Sequence, residues 1–293
     1  MATHEGRHDV IEKTVVGWDG TASARSAVDW AVERGVGKEL HLVQASTEHI
    51  AASEFFAANS PAAAARIALM EDADRIREAY PAIAIESELV QGDPAEELGR
   101  YSSSTTLVVV GAPAKTSPAF RYNWSVGSRL AASARGPVAI VPADGSAEGS
   151  GIVVGVDGSP SSHGALTFAA EEALRRGESL RVVHAWLEPA VWQDVYVPDD
   201  DFLESLETMH RHVLDEALAT VARDYPGVTV EHSLSRGRAQ DVLGEAARNA
   251  SLLVVGNHGL HGIRRLLLGS VSHALVLGIT IPLVVVGTVA SLG

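Results

Sequence analysis

The chain has 293 residues, 46% of them hydrophobic and 20% charged, which suits either two globular domains of ordinary size or one large α/β unit. With 23 basic against 37 acidic side chains its formal net charge is -14, which disfavours binding to DNA or RNA by counterion release. It contains no cysteine, which excludes a disulfide framework, a thiolate metal site and a cysteine nucleophile.

The N-terminal stretch "MATHEGRHDVIEK" has no apolar segment of the kind a secretory signal needs, so a cytoplasmic protein is expected. Short runs rich in Val, Leu and Ile then predict strands near 14–18, 40–45, 83–90, 107–111 and 138–141, and again near 152–156, 180–185, 228–234, 252–256 and 283–286. Runs apolar on both faces, separated by helical patterns, indicate a parallel sheet covered on both sides. The first helix ends at Gly35 in "GVGKEL", where glycine serves as a C-cap and not as a dinucleotide loop. "SPAAAARIALMEDADRI" offers Ser60 as N-cap with Pro61 at the first helical position. "DFLESLETMHRHVLDEAL" offers Asp201 and Glu204 as a capping box, which accounts for the acidic run Asp199 to Asp201 without a metal. From Leu266 onward no side chain is charged, but Gly278 and Pro282 divide the run as a helix, a turn and a strand require, and no membrane span is expected.

The chain is written twice. "TVVGWDGTASARSAVDWAVERG" matches "IVVGVDGSPSSHGALTFAAEEALRRG", "LHLVQA" matches "LRVVHA", the segments ending "LVVVGAPA" and "LVVGNHG" match, and "GPVAIVP" matches "IPLVVVG". Four pairs in the same order mean duplication. The stretch "PADGSAEGSG", from Pro142 to Gly151, has the composition of a flexible linker, so the domains are predicted at 1–143 and 150–293. Each is expected to be a doubly wound, five-stranded parallel sheet, Rossmann-like or flavodoxin-like, in the order 3-2-1-4-5.

Ligands in such sheets bind beyond the carboxyl ends of the strands, where the order reverses between the first and fourth. There the second copy delivers Asp157 in "VGVDGS" and the segment "GNHGLHGIRRLLLGS", with Gly256, Gly259, Gly269 and Ser270 in the spacing Gly-x2-Gly-x9-Gly-Ser. Glycine lets backbone amides approach phosphate oxygens, and Ser270 opens a helix whose N-terminus favours negative charge. Arg236 and Arg238 in "SRGRAQ" leave the third strand toward the same edge, where they either reach phosphate or lie in a solvated loop. Arg264 and Arg265 stand within the glycine segment, and His258 and His261 lack a third metal ligand and read as loop histidines.

"VGVDGS", "VVHAW" and "GNHGLHGIRRLLLGSVS...IPLVVV" resemble the universal stress protein family, in its ATP-binding branch, over nearly the whole chain and twice, as in tandem-domain members. The resemblance implies adenosine near Gly155, Val156 and Asp157 and over the end of the second strand at Ala185, and a triphosphate held by Gly256, Gly259, Gly269, Ser270, Val271 and Ser272. Asp157 then contacts ribose or adenine; capping the turn into the next helix is its alternative role. ATP, with Mg²⁺ on its phosphates, is the implied cofactor. The family also implies fifth strands that meet across a pseudo-symmetric interface, here "VAIV" and "LVVV", and a homodimer.

The first copy departs from this pattern. It keeps Asp19, Gly111 and Ser125 but has Ala114 where Gly259 stands and Trp124 where Gly269 stands, and an indole there should obstruct phosphate. Gln91 and Asp93 replace Arg236 and Arg238. The expectation is one ATP-competent pocket per chain, in the C-terminal half, with the N-terminal pocket empty, altered or partly filled by Trp124. An ATP-dependent signalling module is favoured over a slow ATP-hydrolysing enzyme, because the sequence has no Gly-x4-Gly-Lys-Ser/Thr loop and no Gly-x-Ser-x-Gly elbow. Cyclic AMP is the alternative nucleotide.

Overall fold

The computed structural model describes residues 11–35, 39–47, 60–113, 126–143, 149–187, 200–257, 268–278 and 280–287. The chain divides into two compact units, with the main division after Ala143.

In the first unit the strands are β1 (Lys13–Gly17), β2 (Glu39–Ser46), β3 (Ala84–Gln91), β4 (Thr106–Ala112) and β5 (Pro137–Pro142). They pair in parallel in the order β3-β2-β1-β4-β5. Helices α1 (Ala22–Arg34), α2 (Pro61–Ala79), α3 (Pro94–Gly99) and α4 (Val126–Ser133) link them. Both faces of the central strands are covered, so Val15, Val16, Leu107, Val108 and Val109 are fully buried, as apolar runs without alternation require. The second unit repeats the scheme with β6 (Ile152–Gly155), β7 (Leu180–Trp186), β8 (Val230–Arg236), β9 (Leu252–Gly256) and β10 (Leu283–Val286), paired in the order β8-β7-β6-β9-β10. Its helices are α5 (Pro160–Arg176), α6 (Asp200–Asp224), α7 (Ala239–Ala246) and α8 (Ser270–Gly278). In both units the order reverses between the first and fourth strands, as expected.

The helix ends follow the local chemistry. Ser60 caps α2 by accepting from Ala63 N at 3.1 Å, with Pro61 at the first helical position. Gly35 ends α1 in the left-handed region at φ 66°, where a side chain would be strained, and donates to Val32 O. Helix α6 departs from expectation: it already includes Asp200, so Asp201 lies inside the first turn and not at the cap. Three consecutive acids each offer a capping carboxylate, and the sequence does not rank them; Asp199 lies outside the described residues. The uncharged C-terminal run resolves into α8, ending at Gly278, and β10, which follows Pro282. Among the described residues no helix is long and apolar enough to cross a membrane.

Candidate functional site

The strand-end turns that open each unit are built alike. Val156 N donates to Val183 O at 2.9 Å, carrying β6 one residue further along β7, and Trp18 N does the same to Val43 O at 2.9 Å. The chain then turns through Gly158 at φ 79° or Gly20 at φ 76°. Asp157 Oδ1 accepts from Ser159 N at 2.9 Å, and Ser159 caps α5 by accepting from Ser162 N. Asp19 Oδ1 likewise accepts from Thr21 N at 3.0 Å and from Thr21 Oγ1 at 2.6 Å, with Thr21 as the cap of α1. The aspartates therefore shape the turn, and the residue two positions on caps the helix. In both units the carboxylate is exposed at the carboxyl end of the central strand.

The opposite wall of the reversal point is formed by β9 and α8. Val154 pairs with Val254, so the ends of β6 and β9 lie side by side. Gly269 O accepts from His273 N at 2.8 Å, which makes Gly269 the residue that opens α8. The first-turn amides of Ser270, Val271 and Ser272 therefore precede any carbonyl the helix can offer them, and they carry the positive end of its dipole. Ser272 is buried, and its Oγ donates to Gly256 O at 3.0 Å, tying this turn to the end of β9. Its single hydroxyl proton is thus engaged, and its backbone amide is what it has to offer an anion.

Glycine has a packing reason here that spacing alone concealed. A Cβ on Gly256 would lie 2.6 Å from the backbone carbon of Ser161 at the start of α5. The first unit is tighter: a Cβ on Gly111 would lie 2.2 Å from the carbonyl carbon and oxygen of Ser23. At Gly155 and Gly17 a Cβ would instead meet the side chains of Leu243 and Leu98, each at 2.8 Å. Close approach of strand and helix accounts for these glycines in both copies without a ligand.

At the end of β7 the structure assembles a cluster that sequence reading passed over. His184 is buried, and its Nδ1 lies 2.6 Å from Val156 O, so that nitrogen carries a proton and donates it. Its Nε2 lies 2.9 Å from Nδ1 of His210 on α6, and Trp186 stacks on the His210 ring with centroids 5.0 Å apart. Ala185, half-buried, sits between these two partners in the strand. Trp186, Leu203, Glu204, Leu234 and Arg236 line a cavity of about 450 Å³ beside the cluster. "VVHAW" was the available signal, but His210 lies 26 residues from His184 and only the fold joins them.

Burial, and then the neighbouring His184, hold the His210 pKa below its ordinary 6.5. The charged groups nearest it on its own helix, Glu207 and Arg211, are paired with each other at 2.6 Å. An unfolded chain therefore binds a proton here at a pH where the folded one does not. The stability this group contributes is full above pH 6.5 and falls as the pH drops below it. His210→Gln, which keeps a donor for His184, is expected to flatten the decline in melting temperature between about pH 6.5 and 5; an unchanged slope would remove His210 from the account.

Arg236 is exposed at the end of β8 and reaches the 450 Å³ cavity. Arg238 precedes α7 and turns onto its own helix, with Nε donating to Asp241 Oδ2 at 2.7 Å. In the first unit Asp93 takes the place of Arg238 and caps α3 by accepting from Ala95 N and Glu96 N. Arg129 on α4 bridges to it at 2.7 Å and holds its carboxyl below the usual carboxylate range. Its negative charge is therefore compensated by Arg129. Position 18 also separates the units: the indole of Trp18 is buried at 4% exposure, and its Nε1 donates to Asp72 Oδ2 at 3.0 Å. Gly259, Ala114, Trp124, Ser125, His258, His261, Arg264 and Arg265 lie outside the described residues.

Comparison with known proteins agrees with this architecture. The model of the universal stress protein family matches residues 11–142 and again 151–287. A universal stress protein of Mycobacterium tuberculosis is 34% identical over 207 residues, covering 69% of either chain. One of Mycolicibacterium smegmatis is 31% identical over 288 residues, covering 93% of this chain and 96% of its own. The crystal structure of a universal stress protein from Archaeoglobus fulgidus superimposes with a TM-score of 0.68 at 17% identity, over 96% of this chain and 99% of that one, which shows a shared fold. With two matches of the family model that together take in nearly all of its length, the chain belongs to the universal stress protein family.

Proposed function

We propose that the second unit binds ATP at the reversal point of its sheet, and that the protein is a nucleotide-dependent stress-signalling module acting as a homodimer. The observation that carries this reading is the bond from Ser272 Oγ to Gly256 O, which holds the first-turn amides of α8 beside the end of β9, the neighbour of β6. Amides so held suit polyphosphate oxygens, and Mg²⁺ bridging those oxygens needs few protein ligands. Asp157, exposed at the end of β6, supplies an acceptor for ribose hydroxyls or an adenine amine. The half-buried Ala185 and the Trp186 ring beside it offer the adenosine a surface at the end of β7. Arg236 stands at the same edge with a cationic head for phosphate.

Mass spectrometry of the purified chain under native conditions tests the reading. The expected result is ATP at one copy per chain. Cyclic AMP in its place, or no retained nucleotide together with no affinity in titration, would reject ATP. Two copies per chain would reject the assignment to the second unit alone. Sustained turnover above roughly 1 per second would place the protein among enzymes and not binding modules.

A further inference from the structure

The two units differ at a gap that the nucleotide reading leaves aside. In the first unit the Trp18 indole spans from the end of β1 to α2, where Asp72 accepts its N–H at 3.0 Å. In the second unit the same two positions hold Val156 and Ala217. The correspondence is fixed from both sides. Trp18 and Val156 make the same strand-end bond, each at 2.9 Å. Asp72 and Ala217 stand equally far before Tyr80 and Tyr225, whose hydroxyls bond Asp29 at 2.8 Å and Glu171 at 3.3 Å on the equivalent preceding helices. Where the indole runs in one unit, the other has a cavity of about 410 Å³, whose lining includes Val156, Leu166, Val213 and Ala217 together with Glu216 and Arg223.

We propose that this cavity binds a planar bicyclic heteroaromatic ring bearing an N–H donor, and that Trp18 is the first unit's built-in occupant of the equivalent space. Its size falls in the range of small-molecule sites, roughly 300 to 1,000 Å³. Val156, Leu166, Val213 and Ala217 give it apolar surface for an aromatic ring beside the polar Ser159, Ser162, His163 and Thr220, and a pair of aliphatic and small residues replaces the two that fill it in the first unit. The ring's N–H needs an acceptor once buried, which Asp72 supplies in the first unit. In the second unit Glu216, which lines the cavity one residue before the position equivalent to Asp72, supplies a carboxylate for it. Two sources share this chemistry: a free indole-like compound, and the base of a nucleotide held at the strand ends. The ring site does not depend on whether the second unit binds ATP.

Titration of the full chain with indole, followed by calorimetry and by amide chemical shifts, tests the proposal. One saturable site per chain is expected, with shifts at Leu166 and Val213. Ala217→Phe, or Val213→Trp from a second position on α6, fills the cavity and is expected to weaken indole by at least about tenfold while the chain still melts cooperatively. Trp18→Val combined with Asp72→Ala gives the first unit the residues of the second and is expected to add a second indole site. Absence of saturable binding, or indole affinity unchanged in both filling variants, overturns the proposal. With the site established, displacement of indole by saturating ATP assigns the ring to a nucleotide base, and simultaneous binding assigns it to a free compound. ATP affinity of the wild-type chain, read in the same series, reports separately on the nucleotide reading.

Discussion

Gly269→Trp is expected to lower the affinity of the chain for ATP by about a hundredfold, close to 3 kcal/mol, while leaving its fold intact. Gly269 O accepts the first helical bond from His273 N, so this residue stands where the chain enters α8 and where an anion would meet the amides of Ser270, Val271 and Ser272. An indole in that place occupies the volume a phosphate needs, and residue 124, the corresponding position of the first copy, is already tryptophan. Glycine is only a modest cap, so its loss at the helix start costs no more than about 1 kcal/mol of stability. The two effects are separable: calorimetry reads affinity, and thermal melting without nucleotide reads the fold. Undiminished ATP affinity in the Gly269→Trp chain would mean that phosphate binds elsewhere.

Sequence carried the architecture because each strand of a doubly covered sheet is a short apolar run, and such runs are counted easily. Ser60, Pro61 and Gly35 were legible for a related reason: caps are chosen by chemistry within a few residues of the helix end. The start of α6 was not, because neighbouring acids compete for one role. The reversal point of the sheet was legible in the sequence, and the contacts around it much less so. Asp157 and Asp19 were identified, but their bonds to the residue two positions on belong to a turn whose details need coordinates. Trp18 and Asp72 are separated by 54 residues, and no local pattern links them. The filled position in the first copy was sought at Trp124, since the comparison followed the glycine spacing; position 18, where tryptophan faces valine across the repeat, lay outside that spacing. Asp93 shows the converse: in sequence it is only an acid in place of Arg238, and the fold pairs it with Arg129.

Glycine is the residue whose meaning is most ambiguous in sequence, and the duplication gives a way to separate its roles. Gly111→Ala and Gly256→Ala are each expected to destabilise their unit by about 3 kcal/mol, with Gly111→Ala the more severe. The Cβ would press on backbone, Ser23 at 2.2 Å and Ser161 at 2.6 Å, and backbone at a helix start cannot swing aside as a side chain can. Relief requires the N-terminal turn of α1 or α5 to shift away from the sheet, which disturbs the caps at Thr21 and Ser159. By contrast, a methyl group at Gly17 or Gly155 meets side chains, Leu98 and Val110 or Leu243, which can adjust at lower cost than backbone. For domains of this size the larger effect corresponds to a fall in melting temperature of roughly 6–12 °C, read in the absence of nucleotide. A ligand role for these glycines predicts something different: loss of ATP affinity at Gly256, and no consequence at Gly111 in a unit that binds none. If the Gly111→Ala chain melts with the wild type, close packing is not what keeps glycine at the end of β4, and the same explanation fails for Gly256 at the end of β9.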